Sequence, residues 1–149
     1  MQSNRSIPPF TVIPVLVYPD VRAAVSWLTE AFGFSERVRV GEDHRAQMAI
    51  GANGAFIVAD VRGEKQAPTA GAVTHELKVR VDDVDAVFER ARAYGARVVQ
   101  EPTEHQYGER EATVEDLAGH RWQFTQTMRD VDPEEWGGGV VSGGWPGGG

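Results

Sequence analysis

Apolar residues recur at helical spacing in two stretches of the chain. The first stretch is 21–32 and the second is 84–94, and apolar side chains fall at every third or fourth position in both. An Asp precedes each stretch, where its side chain can cap the first turn, and a Gly follows each one. The pattern predicts two amphipathic helices, each with one face packed on the rest of the protein.

Short β-rich runs bounded by turn residues surround both helices. They predict strands at 11–18, 35–40, 44–50 and 54–60 in the first half, and at 73–81, 97–100, 110–115 and 121–127 in the second. The last two are joined by a tight Asp-Leu-Ala-Gly turn. Pro14 has no N–H to give to a ladder, so the first strand is expected at a sheet edge or in a distorted ladder.

The order strand–helix–strand–strand–strand occurs twice, which indicates duplication of a small α+β unit. Asp20-Val21 recurs as Asp83-Val84 63 positions later, and Gly54 aligns with Gly119 at an offset of 65. We predict a single domain over 1–128, divided into module one (11–60), a polar linker (61–71) and module two (72–128).

The remaining segment, 129–149, is a Gly-rich tail. Asp132-Pro133 predicts one helical turn, and 8 of the 13 residues in 137–149 are glycine, which is typical of a flexible end. The alternative is that Trp136 or Trp145 docks on the domain or on a partner subunit.

Composition narrows the classes of function. The 149 residues carry a net charge of −7 with no basic run, which argues against nucleic acid as a partner. There is no cysteine, so disulfides and thiolate catalysis are excluded. No apolar run approaches the roughly 20 residues of a membrane span and no signal peptide is recognisable, so we expect no membrane partner and a cytoplasmic location.

Several motifs resemble those of a known group of proteins. Both helices open on Asp-Val-x-Ala, AFGF follows the first, and AYGA follows the second. The segment 107–127 carries an aromatic-Gly-x-Arg motif and a Gly-His-x-Trp motif after Glu115-Asp116, with Leu117 where Pro is usual. Over 11–127 the chain resembles the vicinal oxygen chelate superfamily, in its glyoxalase/bleomycin-resistance-like branch.

The resemblance implies a fold and an assembly. The two βαβββ modules would form a curved mixed β-sheet cup with the helices on the outer face, in a homodimer whose modules are often shared across subunits. Metal-using members place four ligands in the cup, at positions that fall on Ile13, Val58, Glu76 and Gln123 of this chain. Only Glu76 is a strong metal ligand, so we expect no bound metal and no other cofactor.

Alternation along the strands predicts which side chains line the cup. One wall is apolar (Ile13, Val15, Val17, Phe56, Val58) and the other is charged or polar (Glu76, Lys78, Arg80, Arg121, Gln123). Tyr107 and Arg110 join them as candidate ligand contacts. The charged groups must pair with one another, reach water or meet a ligand.

Three functions stay open at this point. The leading hypothesis is a metal-free small-molecule binding or sequestration protein of the bleomycin-resistance type, which takes an amphipathic or aromatic ligand and has no catalytic residues. The second is a metal-dependent lyase, isomerase or dioxygenase that uses His75 and Glu76 with a divalent metal. The third is a non-catalytic interaction module with the tail as its contact.

Overall fold

The computed structural model describes residues 2–69 and 71–146 and confirms the duplicated α+β fold. Module one contains β1 (Val15–Val17), α1 (Val21–Phe32), β2 (Ser35–Val40), β3 (Arg45–Ile50) and β4 (Gly54–Ala59). Module two contains β5 (Leu77–Arg80), α2 (Val84–Ala93), β6 (Arg97–Glu104), β7 (Glu109–Glu115) and β8 (Arg121–Thr127). One 3₁₀ turn, Pro133–Trp136, follows.

Both helices begin at the predicted acidic caps. The carboxylate of Asp20 accepts a hydrogen bond from the N–H of Ala23 at 2.9 Å, and Asp83 accepts one from Ala86 at 3.1 Å. These contacts satisfy backbone donors that the first turn leaves free. Gly33 ends α1 with φ of 78°, the left-handed conformation that glycine adopts without strain.

Each module forms one four-stranded mixed sheet. The strand orders are β1-β4-β3-β2 and β5-β8-β7-β6, with the first-named pair parallel in each sheet and the other pairs antiparallel. β1 lies at an edge, as Pro14 predicts, and the carbonyl of Pro14 accepts a hydrogen bond from Ile57 at 2.8 Å. β1 and β5 are shorter than predicted, whereas β6 is longer and stays paired with β7 through two register irregularities.

The helix-facing sides of the two sheets share one aromatic core. The ring of Trp122, which is wholly buried, contacts Phe32, Phe34 and Phe56 at centroid distances of 5.2 to 5.6 Å. Because Trp122 belongs to module two and the three phenylalanines belong to module one, this core fixes the modules to each other.

Polar contacts at the edge of that core join the modules further. The hydroxyl of Tyr18 donates to Asp116 at 2.5 Å, and Nε2 of His120 lies 2.7 Å from the carbonyl oxygen of Val17. At the helix ends, Arg90 Nε donates to the carbonyl of Glu30 at 2.6 Å. No helix within the described ranges has the length and apolar character needed to cross a membrane.

Candidate functional site

The candidate site is the open face, which we define as the face of each sheet opposite its helix. In module two, Val79, Trp122 and Phe124 are buried on the helix side, and neighbouring residues alternate with them. Lys78 pairs in register with Gln123, and Arg80 with Thr125, so these side chains share the open face with Arg121. The predicted face assignment is therefore correct for β5 and β8.

For module one the predicted face of β4 was wrong. Phe56 and Val58 are wholly buried in the shared core, and Val58 lies in register with Leu16, another core residue. The repeat aligns Phe56 with Trp122, one position away from the offset of 65 that a Gly-to-Gly match suggests. Ile57, in register with Val15, occupies the open face instead.

Arg110, predicted as a candidate ligand contact, does not lie on the open face. It lies in β7 two residues before Ala112, which is on the helix side, and its guanidinium forms a two-point contact with Asp85 of α2 at 2.9 and 3.0 Å. Hydrogen bonding from Arg110 holds the pKa of Asp85 below its ordinary value. Arg110 therefore acts on the start of α2 rather than on the open face.

The open face of module two is centred on a buried carboxylate that sequence reasoning missed. Glu111 has no exposed surface, and its Oε2 lies 3.1 Å from Nζ of Lys78. The hydroxyl of Tyr107 donates to its other oxygen. Burial by itself raises the pKa of Glu111, but hydrogen bonding from Tyr107 and Lys78 outweighs burial, so the pKa lies below its ordinary value.

The pKa of Tyr107 shifts in the opposite direction. Burial, together with its hydrogen bond to Glu111, raises the pKa of Tyr107 to about 12. The phenol therefore stays protonated at neutral pH and serves as a permanent donor. Alternation along β7 places Glu111 on the open face, but the sequence does not show that Lys78 and Tyr107 converge on it.

A second carboxylate, Glu115, lies on the same strand and face. Arg121 Nη2 donates to one of its oxygens at 2.8 Å, and Arg97 Nη2 lies 2.8 Å from the other. The hydrogen bond from Arg121 is the largest of the effects that hold the pKa of Glu115 below its ordinary value. The positive charge of Arg121 is therefore compensated internally, while Arg80 extends into solvent.

The tail docks against this face through one of its tryptophans. The ring of Trp136 contacts Tyr107 at a centroid distance of 5.3 Å, and Tyr107 is stacked on His105 at 5.0 Å. Gly108 anchors the segment, since its carbonyl accepts hydrogen bonds from Met128 at 2.8 Å and Arg129 at 3.3 Å. Trp145, by contrast, is 93% exposed.

The open face of module one is mostly apolar and is partly covered by residues 2–10, which we call the leader. Pro8 is buried, and Gln47, in register with Ile57, donates to the carbonyl of Ser6 at 2.8 Å. A cavity of about 350 Å³ remains between the leader and β2 to β4, and Ile7 and Phe10 contribute to its lining.

The residues at the implied metal positions do not form a metal site. After the correction of β4, the four positions hold Ile13, Ile57, Glu76 and Gln123, and the two isoleucines have no donor atom. Across 2–69 and 71–146, no group of three or more His, Asp or Glu side chains is placed to hold an ion. The donor set therefore does not fit a resident catalytic metal at this face.

Comparison with known proteins shows the family. Residues 10–124 match the model of the glyoxalase/bleomycin resistance protein/dioxygenase superfamily. An uncharacterized protein of Mycobacterium bovis is 32% identical over 131 residues, covering 82% of this chain and 86% of the relative. The chain belongs to the glyoxalase/bleomycin resistance protein/dioxygenase superfamily.

Solved structures share the fold. TioX from Micromonospora sp. ML1 is 33% identical, covers 78% of this chain and 98% of its own, and superimposes with a TM-score of 0.64. The fosfomycin resistance protein FosX from Listeria monocytogenes was solved with Mn(II) and a dihydroxypropylphosphonic acid, and covers 79% of this chain and 90% of its own. With 15% identity and a TM-score of 0.60, FosX supports the fold alone.

Proposed function

We propose that this protein is a metal-free small-molecule binding or sequestration protein of the bleomycin-resistance type. The observation that carries the proposal is the donor set at the four implied metal positions. Two isoleucines cannot coordinate an ion, and a catalytic site needs about three protein ligands, mostly His or carboxylate. A protein that only binds its ligand does not need such a set of metal ligands.

The contrast between the two open faces supports an amphipathic ligand. Val15, Val17 and Ile57 supply apolar side chains in module one, of which Val15 is 43% exposed and Ile57 is buried. Lys78, Arg80 and Gln123 supply charge and hydrogen bonds in module two. Apolar lining with a few polar anchors suits a planar aromatic ligand that carries an anionic or polar group.

We also propose that the two kinds of open face meet in a homodimer to complete one cavity. Within the chain, the contacts that join the modules lie at the helix side and at the strand ends, through Trp122, Tyr18 and His120. Each open face contacts a terminal segment of the chain: the leader lies on module one, and Trp136 of the tail lies on module two. A ligand or a second copy would occupy those surfaces after displacing the segments.

The metal-dependent alternative requires His75 and Glu76 to act on one ion. The ring of His75 lies 6.2 Å from the ring of His120, which contacts the core residue Tyr18 on the helix side. Glu76 is exposed and lies just before β5, two residues from Lys78 of the open face. His75 therefore lies toward the core side and Glu76 toward the open face, which argues against one ion bound by both. Binding without a metal is the preferred function.

The test combines metal analysis with ligand titration. Protein purified without chelator is expected to carry no metal that depends on Glu76, and its tryptophan fluorescence should change saturably with a planar aromatic natural product bearing an anionic group. The His75→Ala variant serves as the background, so that any ion bound elsewhere is not counted. A stoichiometric metal that disappears in Glu76→Gln would overturn the proposal.

A further inference from the structure

We propose that His75 and His120 form a binding site for a divalent transition metal ion such as Zn²⁺, outside the open face. The site lies where the linker meets module two, beside a cavity of about 270 Å³ that both histidines line. It differs from the proposed ligand site, because His120 precedes β8 and packs on the core residue Tyr18, whereas Lys78 and Gln123 lie on the open face. Arg121 borders both sites.

The first observation is the state of the His120 imidazole. The residue is only 5% exposed, and its Nε2 lies 2.7 Å from the carbonyl oxygen of Val17. A carbonyl oxygen can only accept, so Nε2 carries a hydrogen, and in the neutral imidazole Nδ1 then presents a lone pair. Within 2–69 and 71–146 no hydrogen-bond partner reaches that Nδ1, although the atom is buried.

An imidazole held in this way is preorganised to bind a metal ion through Nδ1. Metal-binding histidines generally donate their second ring N–H to a backbone carbonyl or carboxylate, which fixes the tautomer and the ring plane. The contact with Val17 supplies that arrangement here. An unsatisfied buried nitrogen costs free energy, and an ion would relieve the cost as well as gain a ligand.

The second observation is the neighbouring imidazole. His75 is exposed, and its ring centroid lies 6.2 Å from that of His120. Its Nδ1 lies 3.3 Å from the hydroxyl of Thr74, which leaves Nε2 available. With Zn–N distances of about 2.0–2.1 Å, one tetrahedral ion bound to both rings places the two ring centroids about 5.2 Å apart. The observed separation is about 1 Å longer than that, so the exposed side chain of His75 has to move toward His120 when the ion binds.

The cavity provides the remaining requirements of a two-histidine site. Its lining includes Thr69 and Thr74, and its volume accommodates water molecules at the open coordination positions. Arg121 also lines it, but the guanidinium is engaged by Glu115 at 2.8 Å, so its charge is partly neutralised. The absence of cysteine from the chain removes thiolates as competing ligands.

The experiment is a calorimetric titration of chelator-treated, full-length protein with Zn²⁺. One equivalent is expected to bind, and a saturating concentration should raise Tm because the site exists only in the folded protein. The His75→Ala variant, at an exposed position, should bind about tenfold more weakly or worse, since one of two protein ligands is lost. The matched controls His44→Ala and His105→Ala should bind as the wild type does.

A second variant and a second readout cover the buried ligand. His120→Gln keeps an N–H that can donate to Val17 but has no imidazole Nδ1, and folding is checked by circular dichroism before titration. Cu²⁺ bound to the wild type should show nitrogen hyperfine coupling from two imidazoles in electron paramagnetic resonance, and from one in His75→Ala. Absence of Zn²⁺ binding to the wild type, unchanged affinity in His75→Ala, or loss of binding in either control would overturn the proposal.

Discussion

The hydroxyl of Tyr18 donates to Oδ2 of Asp116 at 2.5 Å across 98 positions of sequence. Tyr18 follows the first strand of module one and Asp116 follows the third strand of module two, so this hydrogen bond connects the duplicated halves. Asp116 also accepts from the indole of Trp122 at 3.0 Å and caps its own turn through the N–H of Ala118 and His120, each at 3.0 Å. The carboxylate therefore ties the Asp-Leu-Ala-Gly turn to the module junction.

Tyr18→Phe should lower the free energy of unfolding by about 1–3 kcal/mol, because Asp116 stays buried and loses one donor. The control is Tyr94→Phe, which removes a hydroxyl that lies 3.4 Å from Glu30 on the surface and should change stability by about 0.5 kcal/mol or less. Urea denaturation measures both. Equal effects of the two substitutions would show that the junction hydrogen bond contributes nothing specific.

The contact between Trp136 and Tyr107 predicts unequal roles for the two tail tryptophans. Trp136→Ala should lower the free energy of unfolding by about 0.5–1.5 kcal/mol through loss of the aromatic pair. Trp145→Ala, at a site that is 93% exposed, should leave it unchanged. Denaturation followed by circular dichroism separates them, and a stability loss in Trp145→Ala alone would contradict the docking of Trp136.

A side chain added at Gly108 should clash with its neighbours in addition to straining the backbone. Its φ is +87°, and a Cβ would lie 2.4 Å from the carbonyl oxygen of Arg129 and 2.9 Å from Val131. Gly95 has a matching φ of +90°, and no described atom lies within 4 Å of a Cβ built there. Gly95→Ala should therefore cost about 1–2 kcal/mol from backbone conformation alone.

Gly108→Ala should cost measurably more than Gly95→Ala and should also detach the segment after β8. Hydrogen exchange of the amides of Met128 and Arg129, which donate to the carbonyl of Gly108, reports that detachment. Equal stability of the two variants with unchanged exchange would contradict the close approach.

The hydrogen bonds to Glu115 should make the free energy of unfolding depend on pH in mild acid. Hydrogen bonding from Arg121, with a further contribution from Arg97, holds its folded-state pKa below the ordinary 4.5. The unfolded chain therefore takes up the proton first as the pH falls. The stabilisation is complete above about 4.5 and is lost as the pH falls through the lower, folded-state pKa.

The stability difference between wild type and Glu115→Gln should accordingly shrink as the pH is lowered below 4.5. Glu64→Gln, at an exposed linker position, serves as the control and should show no such dependence. Denaturation curves over a pH series provide the measurement. A difference that stays constant or grows toward acid would be inconsistent with the network around Glu115.

The sequence predicted the elements and most of the open face because both follow from local pattern. Helix caps, glycine positions and strand alternation are properties of adjacent residues, and they located Lys78, Arg80, Arg121 and Gln123 correctly. The failure at Phe56 and Val58 came from aligning the repeat on glycines. A shift of one position turns every strand side chain to the other face.

The parts that could not be predicted depend on contacts between distant segments. The pairing of Lys78 with Glu111, the docking of Trp136 on Tyr107 and the placement of the leader over β3 each join residues that only the tertiary fold brings together. Sequence patterns do not encode such distances. The carboxylate network around Glu111 and the contact between the leader and module one could therefore be found only from the structure.

The central claim is that the open face binds an amphipathic aromatic ligand without a metal. Titration of chelator-treated protein with anilinonaphthalene sulfonate, an aromatic anion, tests it most directly. Saturable binding unaffected by chelator is expected, and it should weaken markedly in Val15→Asp and Arg80→Ala, which alter the apolar and charged faces, but not in the control Arg92→Ala on α2. Binding that requires added divalent metal, or that is the same in all three variants, would contradict the account.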